Sequence, residues 1–468
     1  MRSPRVVLAA SALALSASTA CDGCQKGDSP RAVAPSDPSS SSSSSAPLAV
    51  PVVAESLPRC RVDGARLALP GDDIVAGDGV IASDAIFVGV IRREGGRRLA
   101  TLLRASLDLT SMKAIDLGVA LGEDPPPSPR VHAGRVFVAS YARSKPSADK
   151  GTGADKGTGA TAMSRVLELA RFDGAALVRE GAIAQQADES LAFDVAWPSG
   201  GTGAAPLVAW DEDAPLAAAQ LLADRGVVKV QMLGAAKARV ASPDTTDAEA
   251  PRLLARKGGY WLAWLARRPE VAEDAGDAPE GPGERRAYRW IELVSLDGKG
   301  EPTAAVRRVT PEKGHVASFE LAQVAGDGGS AEPRLVVLAQ DEAAHADGAG
   351  ERIVRYVVDG QRDRLESGDL LDGGVGRAMV DLLTSPEETH VPRWLAFSDL
   401  HEHMHVVPLG PSLALVAAPT AEPSLDNARI VAVGTSAEVV YTVGTPVGTP
   451  GGPDAGAGRA ELRRLVCR

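Results

Sequence analysis

Aspartate closes a series of short apolar runs along this chain, and that cadence constrains the fold more than any other feature. The runs are Leu102–Asp108, Leu167–Gly174, Leu221–Gly226, Trp290–Gly298 and Ile353–Gly360, with a weaker copy at Trp394–Asp399. Asp, and Asp-Gly above all, tolerates the backbone of a tight turn, so each run reads as a strand entering a hairpin. The aspartates recur at a rough period of ~58 residues, which marks one supersecondary unit repeated along the chain. Helical periodicity is scarce, and four- to eight-residue apolar runs between Gly, Pro, Asp and Ser predict an all-β chain.

Each unit also carries an earlier, more apolar strand pair. Examples are Gly79–Ala82 with Ala85–Val90, Gly134–Ala139, Gly259–Trp264 and Pro333–Leu338. Apolar strands followed by alternating, more charged ones match the inner and outer strands of a blade, so the repeat resembles a β-propeller. No WD or kelch signature accompanies it. The segment Arg61–Leu69 reads as the second half of an Asp-turn hairpin and Ala460–Cys467 as the first half. Joined, they would complete one blade and close the ring, leaving no open edge. The count favours seven blades, with six or eight as neighbouring solutions. Cys60 and Cys467 flank this join, and a disulfide between them would close a loop worth ~4–5 kcal/mol in the chain-entropy model.

The N-terminus states an address. Arg2 and Arg5 precede an apolar stretch from Val6 to Leu15, and the small residues Ser18-Thr19-Ala20 lead into Cys21. This resembles a bacterial lipoprotein signal, which implies removal of residues 1–20 and lipidation of Cys21. That family prefers Leu three residues before the cysteine, where this chain has Ser18. Cleavage without lipidation, giving a secreted or soluble periplasmic protein, is the alternative. Residues 21–57 hold Pro30, Pro35, Pro38, Pro47, Pro51 and the serine run Ser39–Ser45. Such a segment cannot bury enough apolar area to fold and predicts a disordered spacer before a domain at 58–468.

A net charge of −11 with scattered Lys and Arg gives no basic face, so a nucleic-acid partner is not expected. Three biased insertions, Lys145–Ala162, Pro269–Glu284 and Glu342–Glu351, fall between the apolar strands and the Asp-turn hairpin. In a propeller they would project from one face, where a scaffold carries specificity.

The sharpest chemical pattern is Asp399-Leu400-His401-Glu402-His403-Met404-His405. On a strand, Asp399, His401, His403 and His405 share one face and could ligate Zn or Cu. Same-face neighbours stand ~6.5–7 Å apart, however, so two can chelate one ion and three seldom can. An exposed strand or turn is the simpler reading. The P-loop letters at Gly151–Thr158 are scrambled, Asp211–Asp213 and Asp297–Glu301 lack the spaced oxygens of a calcium loop, and no Gly-x-Ser-x-Gly elbow occurs. Cys24 is a leftover thiol in the spacer. No catalytic signature emerges. The expectation is a monomeric, membrane-tethered binding or scaffolding module of the cell envelope, with an envelope protein or glycan as partner. An enzyme of glycan hydrolase or lyase type acting at the channel is the rival, and metal capture by the His strand is a third reading.

Overall fold

The computed structural model describes residues 60–467 apart from 122–123, 144–164, 185–191, 201–202, 214–225, 269–289, 313–315, 325–332, 342–350, 359–364, 376–380, 384–392, 399–403, 411–412, 414–424, 434–438 and 447–458. The expected signal and spacer at 1–57, with Cys21 and Cys24, therefore lie outside the described residues, as do most residues of the three insertions.

The chain is all-β, a propeller of antiparallel sheets. After β1 (Cys60–Ala68), a first sheet is made of β2 (Asp72–Ala82), β3 (Ala85–Glu94), β4 (Arg97–Ser106) and β5 (Met112–Val119). The second holds β6 (Ser128–His132), β7 (Arg135–Arg143), β8 (Arg165–Phe172) and β9 (Leu177–Ala184); the third, β10 (Phe193–Ala196), β11 (Leu207–Asp213), β12 (Gly226–Met232) and β13 (Arg239–Val240). Next come β14 (Asp247–Arg256), β15 (Gly259–Arg267), β16 (Trp290–Asp297) and β17 (Arg307–Arg308), then β18 (Val316–Val324), β19 (Arg334–Asp341), β20 (Glu351–Val358) and β21 (Leu365–Val375). A three-stranded sheet follows, of β22 (Asp381–Leu383), β23 (Arg393–Ser398) and β24 (Met404–Leu409). Finally β25 (Leu425–Val433), β26 (Val439–Pro446) and β27 (Glu461–Cys467) form a sheet in which β1 pairs with β27.

Six blades thus have four strands, where seven such units were expected. The weak unit is the one around Asp399, which falls between the second and third strands of the three-stranded sheet rather than between a third and a fourth. Asp224 is a second correction. It lies outside the described residues ahead of β12, and the turn from β12 to β13 is made by Leu233 and Gly234 instead.

Where the Asp turn does form, its chemistry is visible. Asp108 Oδ1 accepts from Thr110 N at 3.1 Å, Asp173 Oδ1 from Ala175 N and Ala176 N at 3.0 and 2.8 Å, and Asp297 Oδ1 from Lys299 N and Glu301 N at 2.8 Å each. One carboxylate satisfies the backbone donors that the turn leaves without ladder partners.

Apolar clusters lie between each sheet and the next: Phe87 and Leu102 meet Val136 and Val138, Tyr141 meets Trp210, and Trp394 meets Ile430 and Leu465. The β25–β27 sheet in turn packs Val431 and Tyr441 on Ile86 and Val88 of the first. Glycine permits the tightest approaches. A Cβ on Gly89 would lie 1.6 Å from the Pro127 carbonyl oxygen, and one on Gly79 2.6 Å from Val431 Cβ. Three buried tryptophans have their polar tips satisfied: Trp264 Nε1 and Trp290 Nε1 both donate to Glu292, at 3.0 and 3.2 Å, and Trp210 Nε1 donates to Glu212 at 3.0 Å, whereas Trp394 Nε1 is buried without a hydrogen-bond partner among the described residues.

Candidate functional site

The first strands of the sheets line a common axis, with β2 touching β25 and β6, β14 touching β10 and β18, and β22 touching β18 and β25. Their charged residues converge there. Arg130 on β6 places Nη1 2.8 Å from Asp78 Oδ2 of β2 and Nη2 3.0 Å from Asp194 Oδ1 of β10. Arg429 on β25 approaches the other oxygen of Asp78 at 3.4 Å, and Ser128 Oγ donates to Asp78 Oδ2 at 2.9 Å. Asp194 Oδ2 accepts from Leu253 N of β14 at 2.8 Å, and Arg252 beside it reaches Glu320 of β18 at 3.3 Å. The signs alternate along this arc from Arg429 through Asp78, Arg130, Asp194 and Arg252 to Glu320. Every contact crosses from one blade to the next.

Local irregularities aim these side chains. The β2–β3 register shifts between Ala76 and Gly79, β14–β15 between Glu249 and Arg252, and β25–β26 between Asp426 and Arg429. A bulge turns a side chain out of strict alternation, and here three bulges fall at Asp78, Arg252 and Arg429. The one in β14 holds Ala250 at φ 53°, and the Ala250 N–H donates to Asp211 Oδ2 at 2.7 Å. Arg130 and Arg252 each follow a proline and donate back to its carbonyl at 3.2 Å, which fixes the first part of the side chain.

Electrostatics lock the set in its charged form. Burial pushes the Asp78 carboxyl up, but the Arg130 and Arg429 guanidiniums outweigh it and hold the group well below the usual carboxylate range. Burial opposes the charge on Arg130, and Asp78 with Asp194 reverses that, raising the group above an ordinary arginine. Arg252 is raised in the same way, against burial, by Glu320, Asp194 and Asp78. The lining is still wet: the Asp78 side chain is 37% exposed and that of Arg130 31%.

An aromatic group sits between the second and third sheets, near the far ends of their first strands. His132 stacks on Trp197 with centroids 5.2 Å apart and planes at 12°, and Phe137 leans on Trp197 at 4.9 Å.

Of the predicted metal strand, Asp399, His401 and His403 lie outside the described residues. His405 belongs to β24, is buried, and stacks on Phe397, its register partner across β23, at 5.1 Å and 14°. Among the described residues no group of three or more His, Cys, Asp or Glu is placed to hold a metal. Cys60 and Cys467 are Cα partners across β1 and β27; their side chains lie outside what is described.

The channel charges were missed in the sequence. Pro129-Arg130-Val131 and Pro251-Arg252-Leu253 repeat a Pro-Arg-apolar pattern in two first strands, but Pro333-Arg334-Leu335 and Pro392-Arg393-Trp394 repeat it at second strands. The pattern alone therefore does not single out channel residues.

No protein-family model matches the chain, and no curated protein matches it in sequence. Among solved structures it is similar to polysaccharide lyase Uly1, at 10% identity and a TM-score of 0.46, covering 87% of this chain and 93% of that one. The WD40 repeats of RRP9 give 11% and 0.46 over 87% and 99%. The GH93 alpha-L-arabinofuranosidase of Fusarium graminearum gives 8% and 0.42 over 86% and 97%. At these values no activity or ligand passes from them to this chain.

Proposed function

We propose that this chain is a rigid binding or scaffolding module, carried on the outer side of a membrane by a lipidated Cys21 and the spacer at 21–57. In this reading the seven sheets form one closed ring, with β1 and β27 joining its ends, and recognition lies in the inserted segments on one face. The observation that carries it is the pairing of the channel charges with one another. Glycan-cleaving chemistry needs a carboxyl whose proton is available near the working pH. Asp78 is displaced the other way, and Asp194 spends its oxygens on Arg130 and on backbone N–H groups. Such groups hold blades together rather than move protons.

The inserted segments support the second half of the reading. All three connect a second strand to a third: β7 to β8, β15 to β16 and β19 to β20. Arg143 pairs with Arg165, Ala266 with Trp290 and Asp341 with Arg352, so each insertion leaves and re-enters at neighbouring points. Loops anchored this way vary without disturbing the sheets.

The test is affinity capture from a native envelope extract, with the full chain, a mock-tagged control, and a chain lacking 145–162, 269–284 and 342–351. A protein or glycan retained by the full chain and lost from the folded deletion chain is the expected result. A partner retained equally by both would move recognition off that face. Cleavage of an envelope glycan by the full chain, abolished by Asp78→Asn, would overturn the reading in favour of an enzyme.

A further inference from the structure

Among the described strands β1 lies at the edge of its sheet and pairs with β27 alone. Among its described side chains none is fully buried: Arg61, Asp63, Arg66 and Ala68 are exposed, and only Val62, Ala65 and Leu67 are partly covered. Its ladder to β27 is broken by a register shift between Val62 and Arg66, where Gly64 takes φ +79°. Besides the ladder, Val62, Ala65 and Leu67 pack against apolar clusters, Asp63 pairs with Arg464 at 3.4 Å and, just past the end of the strand, Leu69 N donates to Ala460 O at 2.8 Å. An exposed ion pair of this kind contributes little. The strand lies along the edge of its sheet, and the Leu69 bond fastens one end of it, not the other, beyond the ladder.

Cys60 lies at that other end, opposite Cys467. Directly opposed residues of an antiparallel pair have Cα atoms about 4.5–5.5 Å apart, and their side chains emerge on the same face. A disulfide spans Cα separations of roughly 4.4–6.8 Å, so either kind of opposed pair accommodates one without backbone movement. We propose that Cys60 and Cys467 are a disulfide site that fastens β1 to β27. The bond forms by exchange with a disulfide oxidant such as oxidised glutathione. The two cysteine thiols lose two protons and two electrons as Sγ–Sγ forms, and the S–S bond of the oxidant is reduced to two thiols. The inference rests on register and burial alone and is independent of what the module binds.

The experiment uses the full chain purified without reductant and equilibrated with oxidised glutathione. A non-reducing peptide map should show the Cys60 peptide linked to the Cys467 peptide. Reductant should then lower the melting temperature, by on the order of 5 °C for a loop this long. Cys60→Ser and Cys467→Ser should each give the same loss, insensitive to reductant, and the double variant no further loss. Recovery of Cys60 and Cys467 as separate alkylated thiols from the oxidised protein would overturn the proposal. So would linkage of either to Cys21, Cys24 or a second copy. Because the map is read on the unmodified chain, a variant that fails to fold leaves the test intact.

Discussion

Arg130 shares its guanidinium between two blades, so its loss removes the bridging cation from Asp78 and Asp194 and leaves Asp78 the longer contact with Arg429. Removing one member of a fully buried pair costs about 3–5 kcal/mol, and the partial exposure of Arg130 and Asp78 reduces this to about 2 kcal/mol. Arg130→Met should therefore lower the unfolding free energy by that amount, seen as a lower urea midpoint with an unchanged slope, and adding Asp78→Asn should recover part of the loss. The pH dependence has a definite sign. A carboxyl held below its unfolded value stabilises the fold above that value, about 3.9, and loses the contribution as pH falls toward its folded value. The gap between wild type and Arg130→Met should thus stay constant from pH 8 to 5 and close below about pH 4. Urea titrations at several pH values read it directly; a gap that opened on acidification would contradict the assignment.

At the scale of strands and turns, part of the fold was legible because the signal is local. Asp108, Asp173 and Asp297 each satisfy their own turn, so residue type and position suffice to find them. Asp224 carries the same letters but precedes β12 rather than following it, since nothing within six residues tells a turn from the entry to a strand. The channel was hidden for a related reason. Asp78 lies inside β2 at a bulge, and a bulge breaks the alternation by which inward positions are recognised. Close packing is equally silent in sequence. Gly89 has an ordinary strand neighbourhood, and only the sheet beside it forbids a side chain. Gly89→Ala should cost at least about 3 kcal/mol by forcing Pro127 away, whereas Gly64→Ala, with open space but φ +79°, should cost about 1 kcal/mol. Comparing the two by chemical denaturation separates blade packing from backbone conformation.

For the whole molecule, the ion pairs and apolar clusters make neighbouring blades share their contacts, so unfolding one exposes the faces of two. A linear stack of repeats frays from its terminal units, because each end has one neighbour. Here the sheet containing β1 and β27 has a neighbour on both sides, through Val431 on Ile86 and Ile430 on Trp394. Denaturation should accordingly follow a single transition, with fluorescence of the buried tryptophans and far-ultraviolet circular dichroism coincident.

The pairing of β1 with β27 has a consequence for chain order itself. Cys60 and Cys467 stand opposite each other, so the two ends of the described chain lie side by side. They can be joined and the chain opened elsewhere. Linking residue 467 to residue 60 by a short glycine-rich turn and cutting within 145–162 should give a circularly permuted protein with the same sheets and a similar melting temperature. Which sheet comes first is then a property of the gene, and the pairing of β1 with β27 is indifferent to it.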